Sequence, residues 1–284
     1  MNIKMKEKIQ IGIPCGLNSE EYTRHLIDSI DKTASGVYDI EYLIGINHIK
    51  AQISFLETLL NKNKPRFPYR IIASPNVFAK TSGTGWVSEG HGACLDMIME
   101  NMNSKYGMMV DADCAFLLKN WDQVLVSKIT ETNIIVGTEY GHDDYKYMKN
   151  ANVITCFFDI EKVKSMKMSW KPELKHITID ESNTHVYHRE IGETIFLDTG
   201  SELPKKLIEN GFTSTYMILV SPRVKKYKDR LNFMTPDMRG EEYILDNKSI
   251  VSHVGRSSTR SFRHDPIIIK WKNRVSQWLS RGQV

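Results

Sequence analysis

The stretch Tyr106-Gly-Met-Met-Val-Asp-Ala-Asp-Cys-Ala-Phe116 joins an apolar run to two carboxylates one residue apart. The apolar residues 108–110 follow the turn-forming Gly107 and predict a buried parallel strand. Such a strand ends in charge only where it reaches a cleft, because an unpaired carboxylate inside a core is very costly. Ligands of open α/β sheets bind at the carboxyl ends of strands, where Asp111 and Asp113 fall. The pair therefore predicts a site for Mg²⁺ or Mn²⁺, with substrate phosphates as further ligands.

The two acids also have a simpler interpretation, in which Asp111 caps the following turn and Asp113 is solvated. Asp-x-Asp alone is a weak signal that fits both interpretations. The flanking sequence favours a site, because the preceding strand is wholly apolar and an amphipathic helix opens at Lys119-Asn-Trp-Asp122.

The order of strand, Asp-x-Asp, short loop and helix resembles the core of GT-A glycosyltransferases, particularly the family 2-like ones. The resemblance covers residues 9–260 and rests on the order of the motifs. It implies an α/β fold: a GT-A-like (Rossmann-like) three-layer sandwich around a mostly parallel sheet. It also implies that Asp111, Ala112 and Asp113 contact a divalent cation and the diphosphate of a nucleotide sugar.

Strands and helices alternate ahead of this motif, which predicts a parallel sheet with helices on both faces. In the resembled enzymes the first strand commonly ends in Pro and a loop that contacts the nucleotide. Pro14 and Asn18 are therefore candidate donor contacts, with Asn47 at the end of the second strand. No Asp ends that second strand, where many family members contact the base. A UDP-sugar is the default donor because UDP is the commonest carrier in that family.

A glycine-rich stretch, residues 81–92, precedes a predicted helix. Glycines permit close backbone approach, and a helix N-terminus favours an anion. In the resembled enzymes this helix start lies beside the donor, which makes His91 a donor-site candidate. The alternatives are a flexible surface loop and a histidine that caps the helix.

Residues 192–200 precede a predicted helix over residues 202–210. Inverting GT-A enzymes carry their catalytic base at the start of such a helix, usually as Glu-Asp, then leucine and a basic residue, then Gly. This chain departs from that pattern, because Asp198 stands alone and is followed by Thr-Gly. Asp198 is the candidate base and Glu193 the second choice, and the simpler interpretation makes Asp198 the N-cap of the helix.

A β-branched strand ends at His253 and is followed by a turn rich in glycine and hydroxyls that carries Arg256. GT-A enzymes often place a late His, followed by small residues, on the metal or the diphosphate. His253 is therefore the candidate third metal ligand and Arg256 a candidate diphosphate contact, since a guanidinium binds phosphate bidentately.

The composition fits one large or two small globular domains, with 284 residues, 41% hydrophobic and 25% charged. A net charge of +4 is too mild to argue for a nucleic-acid partner. No apolar run is long enough to span a membrane, and residues 1–10 lack the apolar core of a secretory signal. The four cysteines form no Cys-x-x-Cys pair, so a zinc site or disulfide framework is disfavoured and a cytoplasmic location is expected.

We predict a GT-A-like domain over residues 1–264 and a basic amphipathic helix over residues 265–284. The apolar face of this helix is predicted to pack on the core. Weak association with an anionic membrane surface is the alternative. The predicted apolar positions are Ile267, Trp271, Val275 and Trp278.

These features together predict an inverting, metal-dependent glycosyltransferase. It would move a sugar from a nucleoside-diphosphate sugar to a hydroxyl acceptor such as a glycan. The alternatives are a nucleotidyltransferase and a non-catalytic module that binds sugar or nucleotide on the same fold.

Overall fold

A computed structural model describes residues 6–16, 18–46, 50–73, 87–139, 151–172, 174–176, 190–191, 194–196, 199–222, 230–255 and 261–281. Within these ranges, ten strands form one sheet and three short strands form a second. In chain order the elements are β1 (Lys8–Cys15), α1 (Glu20–Thr33), β2 (Asp39–Ile46), α2 (Lys50–Lys62), β3 (Tyr69–Ala73), α3 (Val87–Asn101), β4 (Tyr106–Val110), β5 (Cys114–Phe116), α4 (Trp121–Val126), β6 (Asn133–Thr138), β7 (Asn152–Asp159), α5 (Ile160–Ser165), β8 (Leu174–His176), β9 (Glu190–Ile191), β10 (Thr194–Phe196), α6 (Leu203–Glu209), β11 (Thr213–Val220), β12 (Glu241–Leu245), β13 (Lys248–His253) and α7 (Pro266–Ser280).

The large sheet runs β3-β2-β1-β4-β7-β6-β11-β12-β13-β5 and confirms the α/β class. Its first four strands are parallel, as predicted, because helices return the chain between them. The sheet as a whole is mixed rather than mostly parallel. Strand β7 is antiparallel to both of its neighbours, β4 and β6. At the other end of the sheet, β12 is antiparallel to β11, β13 to β12, and β5 to β13.

Helices cover both faces of the sheet, which gives the predicted three layers. Buried residues of α1 and α2, such as Leu26 and Leu56, belong to one core cluster with β1 and β4. Residues of α3, α5 and α6, such as Ile98 and Leu207, form the cluster on the opposite face. Gly12 lets α3 lie close to the sheet, because a Cβ there would stand 2.5 Å from Ile98 Cγ2.

Strand β4 lies between β1 and β7, and its five residues are all buried. The prediction of a buried strand ahead of the acidic pair is therefore confirmed. The strand ends where the Asp111 backbone N–H donates to Ile154 O at 2.9 Å. The chain then turns into β5, so the acidic pair lies at the carboxyl edge of β4.

Helix α7 packs on the sheet, and its buried residues are Ile268, Trp271, Val275 and Trp278. The predicted face is confirmed except that Ile268 takes the place of Ile267. The two indole N–H groups donate to Ser252 Oγ at 3.0 Å and to Leu117 O at 3.2 Å. Membrane-surface association through this helix stays a prediction. Among the described residues, no helix is both long and apolar enough to cross a membrane.

His25 on α1 makes the stability of the fold depend on pH. Its ring centroid lies 5.2 Å from that of Trp271 and 5.7 Å from that of Phe262. Burial, with smaller contributions from Lys272 and Lys32, lowers the pKa of His25 to about 4. Between that pKa and the ordinary 6.5, the unfolded chain binds more protons than the folded chain, so stability falls as pH falls.

Because of His25, we expect the free energy of unfolding to fall by about 2 kcal/mol between pH 7 and pH 5. Urea unfolding of wild type and His25→Phe at both pH values measures this cost. The variant removes the titrating group and keeps an aromatic ring, so its stability should fall less over this range. An equal fall in both proteins would contradict the assignment.

Candidate functional site

The acidic pair sits on a tight turn between β4 and β5. The Cys114 backbone N–H donates to Asp111 O at 3.1 Å, which closes the turn. Strand β13 pairs antiparallel with β5, and the register sets His253 opposite Cys114. The Val254 N–H then donates to Asp113 O at 3.1 Å. Backbone pairing thus brings the end of β13 directly against the turn.

Three side chains converge at this point. Asp111, Asp113 and His253 each offer one ligand atom, and these atoms all lie within 4.8 Å of one another. His253 Nε2 stands 3.3 Å from Asp113 Oδ1. The exposed fractions of the side chains are 25% for Asp111, 5% for Asp113 and 14% for His253. The cluster therefore has one open side, at Asp111, and is otherwise enclosed by protein.

This donor set fits a divalent cation. Two oxygens and an imidazole nitrogen suit Mn²⁺, and carboxylates also suit Mg²⁺. Two ligands of one such ion, at about 2.1 Å each, stand at most about 4.2 Å apart. Small side-chain rotations would bring the three atoms into that range. The residues that the sequence singled out for a metal are the ones brought together here.

Sequence reasoning missed Glu241, which contacts His253 on the side of the imidazole away from Asp113. Glu241 Oε2 stands 2.9 Å from His253 Nδ1 and accepts the Tyr243 hydroxyl at 2.7 Å. Burial disfavours the imidazolium, but the carboxylates of Asp113 and Glu241 hold the pKa of His253 well above its usual range. Burial likewise raises the pKa of Glu241, but the hydrogen bond and charge of His253 bring it below its ordinary value.

A sequence signal for Glu241 exists in the hairpin of β12 and β13. Asp246 and Asn247 have φ values of 50° and 61°, as a two-residue type I′ turn requires. The hairpin sets Glu241 opposite His253, with one register shift between Tyr243 and Ile244. The Asp-Asn pair between two β-rich runs marks the turn, but the shift decides which residue faces His253.

His91 on α3 joins the cluster from another direction. Its Nε2 stands 3.1 Å from Asp111 Oδ1, and its Nδ1 stands 3.3 Å from Thr199 Oγ1. The predicted donor-site histidine is thus in contact with the Asp-x-Asp motif. Thr199, which sequence reasoning did not select, is buried and directly follows Asp198 in the chain.

The helix that carries His91 packs tightly at Gly92. A Cβ at Gly92 would stand 2.5 Å from Lys171 Cα and 2.6 Å from Trp170 O. Because these are backbone atoms, only glycine allows this approach. The Gly200 N–H in turn donates to Trp170 O at 2.8 Å. The same short segment therefore supports both His91 and Thr199.

The described donor-contact candidates lie near the same edge of the sheet. Pro14 is part of β1, opposite Gly45 on β2, so the strand continues through it. Since Gly12 pairs with Met109, Pro14 and Asp111 are equally far along neighbouring parallel strands. Asn18, with φ of 65°, is exposed in the turn before α1, and Ala112 is buried between the two acids.

Four predicted site residues, Asn47, Glu193, Asp198 and Arg256, lie outside the described residues. Helix α6 begins at Leu203, and its N-cap is Glu202. The interpretation of Asp198 as the N-cap of that helix is therefore wrong.

Solved glycosyltransferases share this architecture. The galactosyltransferase LgtC, in complex with donor and acceptor sugar analogs, matches with a TM-score of 0.53 and 11% identity. The match covers 96% of this chain and 95% of that chain. The chain has the GT-A fold.

Two further structures match with lower TM-scores. The mannosyltransferase PcManGT from Pyrobaculum calidifontis, in complex with GDP-Man and Mn²⁺, matches at 0.48 with 10% identity, over 80% of this chain and 61% of that chain. The bifunctional glycosyltransferase WbbM, in its apo form, matches at 0.45 with 11% identity, over 75% of this chain and 40% of that chain. The chain thus spans less than two thirds of either protein. No protein-family model and no curated protein matches the sequence.

Proposed function

We propose that the chain is a metal-dependent glycosyltransferase that moves a sugar from a nucleoside-diphosphate sugar to a hydroxyl acceptor such as a glycan. One observation carries the proposal. On a GT-A fold, Asp111, Asp113 and His253 converge at the carboxyl edge of the sheet, where open α/β sheets bind ligands. His253 is remote from the two acids in sequence, so only the fold unites the three.

The cation, Mn²⁺ or Mg²⁺, would be held by Asp111, Asp113 and His253. When bound, it would neutralise the charge that develops on the departing nucleoside diphosphate. These three residues would fix its position. Asp113 and His253 are nearly enclosed, and Asp111 borders the open side of the cluster where a diphosphate can approach.

Donor binding is assigned to the residues around this cluster. His91 contacts Asp111 and would hold that carboxylate in place beside the diphosphate. Arg256, close behind His253 in the chain, would pair with phosphate oxygens bidentately. Pro14 near the end of β1, Asn18 after β1 and Asn47 after β2 would contact the nucleoside, and a UDP-sugar is the default donor.

Acceptor activation is assigned to Asp198. A hydroxyl is a poor nucleophile until its proton is removed, and a carboxylate can remove it in line with the departing diphosphate. The support is that Thr199, the next residue in the chain, contacts His91, which in turn contacts Asp111 of the metal cluster. Direct displacement by the hydroxyl inverts the anomeric configuration, and Glu193 is the second candidate for the base.

A thermal-shift screen tests the proposal. Nucleoside diphosphates and nucleotide sugars are tested with Mn²⁺, with Mg²⁺ and with EDTA. A ligand that binds only the folded chain at about a hundred times its Kd stabilises it by about 2.7 kcal/mol. We expect stabilisation by a nucleotide sugar that disappears in EDTA. Failure of every nucleotide to stabilise the chain would overturn the proposal.

Hydrolysis of the bound donor separates the competing functions. A glycosyltransferase without acceptor slowly releases free sugar and nucleoside diphosphate in a metal-dependent reaction. A binding module releases neither, and a nucleotidyltransferase releases pyrophosphate from a nucleoside triphosphate instead.

A further inference from the structure

We propose that Glu241 is a positioning residue that fixes His253 as the nitrogen ligand of the cation. The inference rests on the proposed function, because it concerns how the same metal cluster is oriented. It starts from the short contact between Glu241 Oε2 and His253 Nδ1, 2.9 Å long, on the side of the imidazole away from Asp113.

The contact determines which imidazole nitrogen is available to a metal. An imidazole binds a metal through the lone pair of one nitrogen while the other nitrogen carries a proton. Glu241 accepts a hydrogen bond from Nδ1–H, which leaves Nε2 for the cation. Nε2 is also the nitrogen that faces Asp113, at 3.3 Å. The ring is therefore held with the correct nitrogen toward the cluster.

The carboxylate of Glu241 is itself held in place. The Tyr243 hydroxyl donates to the same Oε2 at 2.7 Å, and Tyr243 is 1% exposed. Within the described part of the chain, this carboxylate hydrogen-bonds to Tyr243 and His253 alone. Among the described residues, the hydrogen bonds of this carboxylate thus lead to His253 of the metal cluster and to Tyr243 on the same strand.

The adjacent residue provides a matched control. Successive side chains of a strand point to opposite faces, so Glu242 turns away from His253. Glu242 is fully buried and accepts from the backbone N–H groups of Phe233 and Met234, both at 2.9 Å to Oε2. It anchors a loop, so its loss should lower stability without changing the metal cluster.

The experiment measures Mn²⁺ affinity by electron paramagnetic resonance of the free ion, together with the unfolding temperature of the metal-free protein. Loss of a group that orients a metal-binding histidine typically weakens metal binding by about 10–100-fold. We expect this loss in Glu241→Ala. Glu241→Gln should restore most of the affinity, because its amide oxygen still accepts from Nδ1–H. Glu242→Gln should lower the unfolding temperature and leave Mn²⁺ affinity unchanged.

Tyr243→Phe provides a second route to the same answer if Glu241→Ala does not fold. It removes one hydrogen bond from the Glu241 carboxylate, and a several-fold loss of Mn²⁺ affinity is expected. Wild-type affinity in both Glu241→Ala and Tyr243→Phe, or in Tyr243→Phe alone if the other variant is unfolded, would overturn the role of Glu241. A wild-type protein that binds no Mn²⁺ would instead overturn the metal site of the proposed function.

Discussion

Replacement of Asp113 by alanine should abolish metal-dependent stabilisation by a nucleoside diphosphate while the chain still folds. Asp113 is the most enclosed of the three candidate ligands, with a 5% exposed side chain. Its backbone carbonyl, which pairs with Val254 N–H, is retained in the variant. If the cation contributes about 4 kcal/mol to the transition state, turnover should fall by about 10³-fold.

Thermal shift with nucleoside diphosphate, with and without Mn²⁺, measures the binding part of this prediction. Asp122→Asn is the control, because Asp122 is another buried aspartate, in the first turn of α4, and it accepts the Ser35 backbone N–H at 3.0 Å. Its loss should lower the unfolding temperature and leave the response to Mn²⁺ intact. Undiminished metal-dependent binding in Asp113→Ala and in Asp111→Ala would overturn the glycosyltransferase proposal.

The sequence predicted β4 and the position of its acidic pair because both follow from local physics. Residues 106–110 are apolar and buried on both faces of the sheet, and charge must leave such a strand at its end. The same reasoning placed helices on both faces of the parallel half of the sheet. These features depend on hydrophobic pattern, which is visible along the chain.

Strand direction was harder to predict. An apolar strand such as β7 has the same sequence pattern whether it runs parallel or antiparallel to its neighbours. In the structure, β7 is antiparallel to both β4 and β6. At three residues, β5 is too short to show an alternating pattern. Its pairing with β13 depends on backbone hydrogen bonds, which the sequence does not display.

The candidate site depends on the pairing of β13 with β5. His253 was selected by its resemblance to a late GT-A histidine, and its approach to Asp113 follows from the register of β13 against β5. Glu241 carries no motif and reaches His253 only through the register shift within the hairpin. A slip of one residue turns a side chain to the opposite face of the sheet. The shift therefore determines whether Glu241 or the residue next to it in sequence lies opposite His253.

Replacement of Asp198 by asparagine should leave donor affinity intact and lower turnover by about 10²–10⁴-fold, the usual contribution of a general base. The amide has nearly the same shape as the carboxylate and cannot take the proton of the acceptor hydroxyl. Donor affinity is measured by thermal shift and turnover by release of nucleoside diphosphate in the presence of acceptor.

Glu193→Gln is the matched comparison, since Glu193 is the second candidate on the same segment. Near wild-type turnover in Asp198→Asn together with an inactive Glu193→Gln would transfer the role to Glu193. The anomeric configuration of the product, read by NMR, decides whether either residue is needed as a base. Inversion requires one deprotonated hydroxyl attacking opposite the diphosphate, whereas retention would remove the need for a carboxylate at that position and overturn the assignment of both residues.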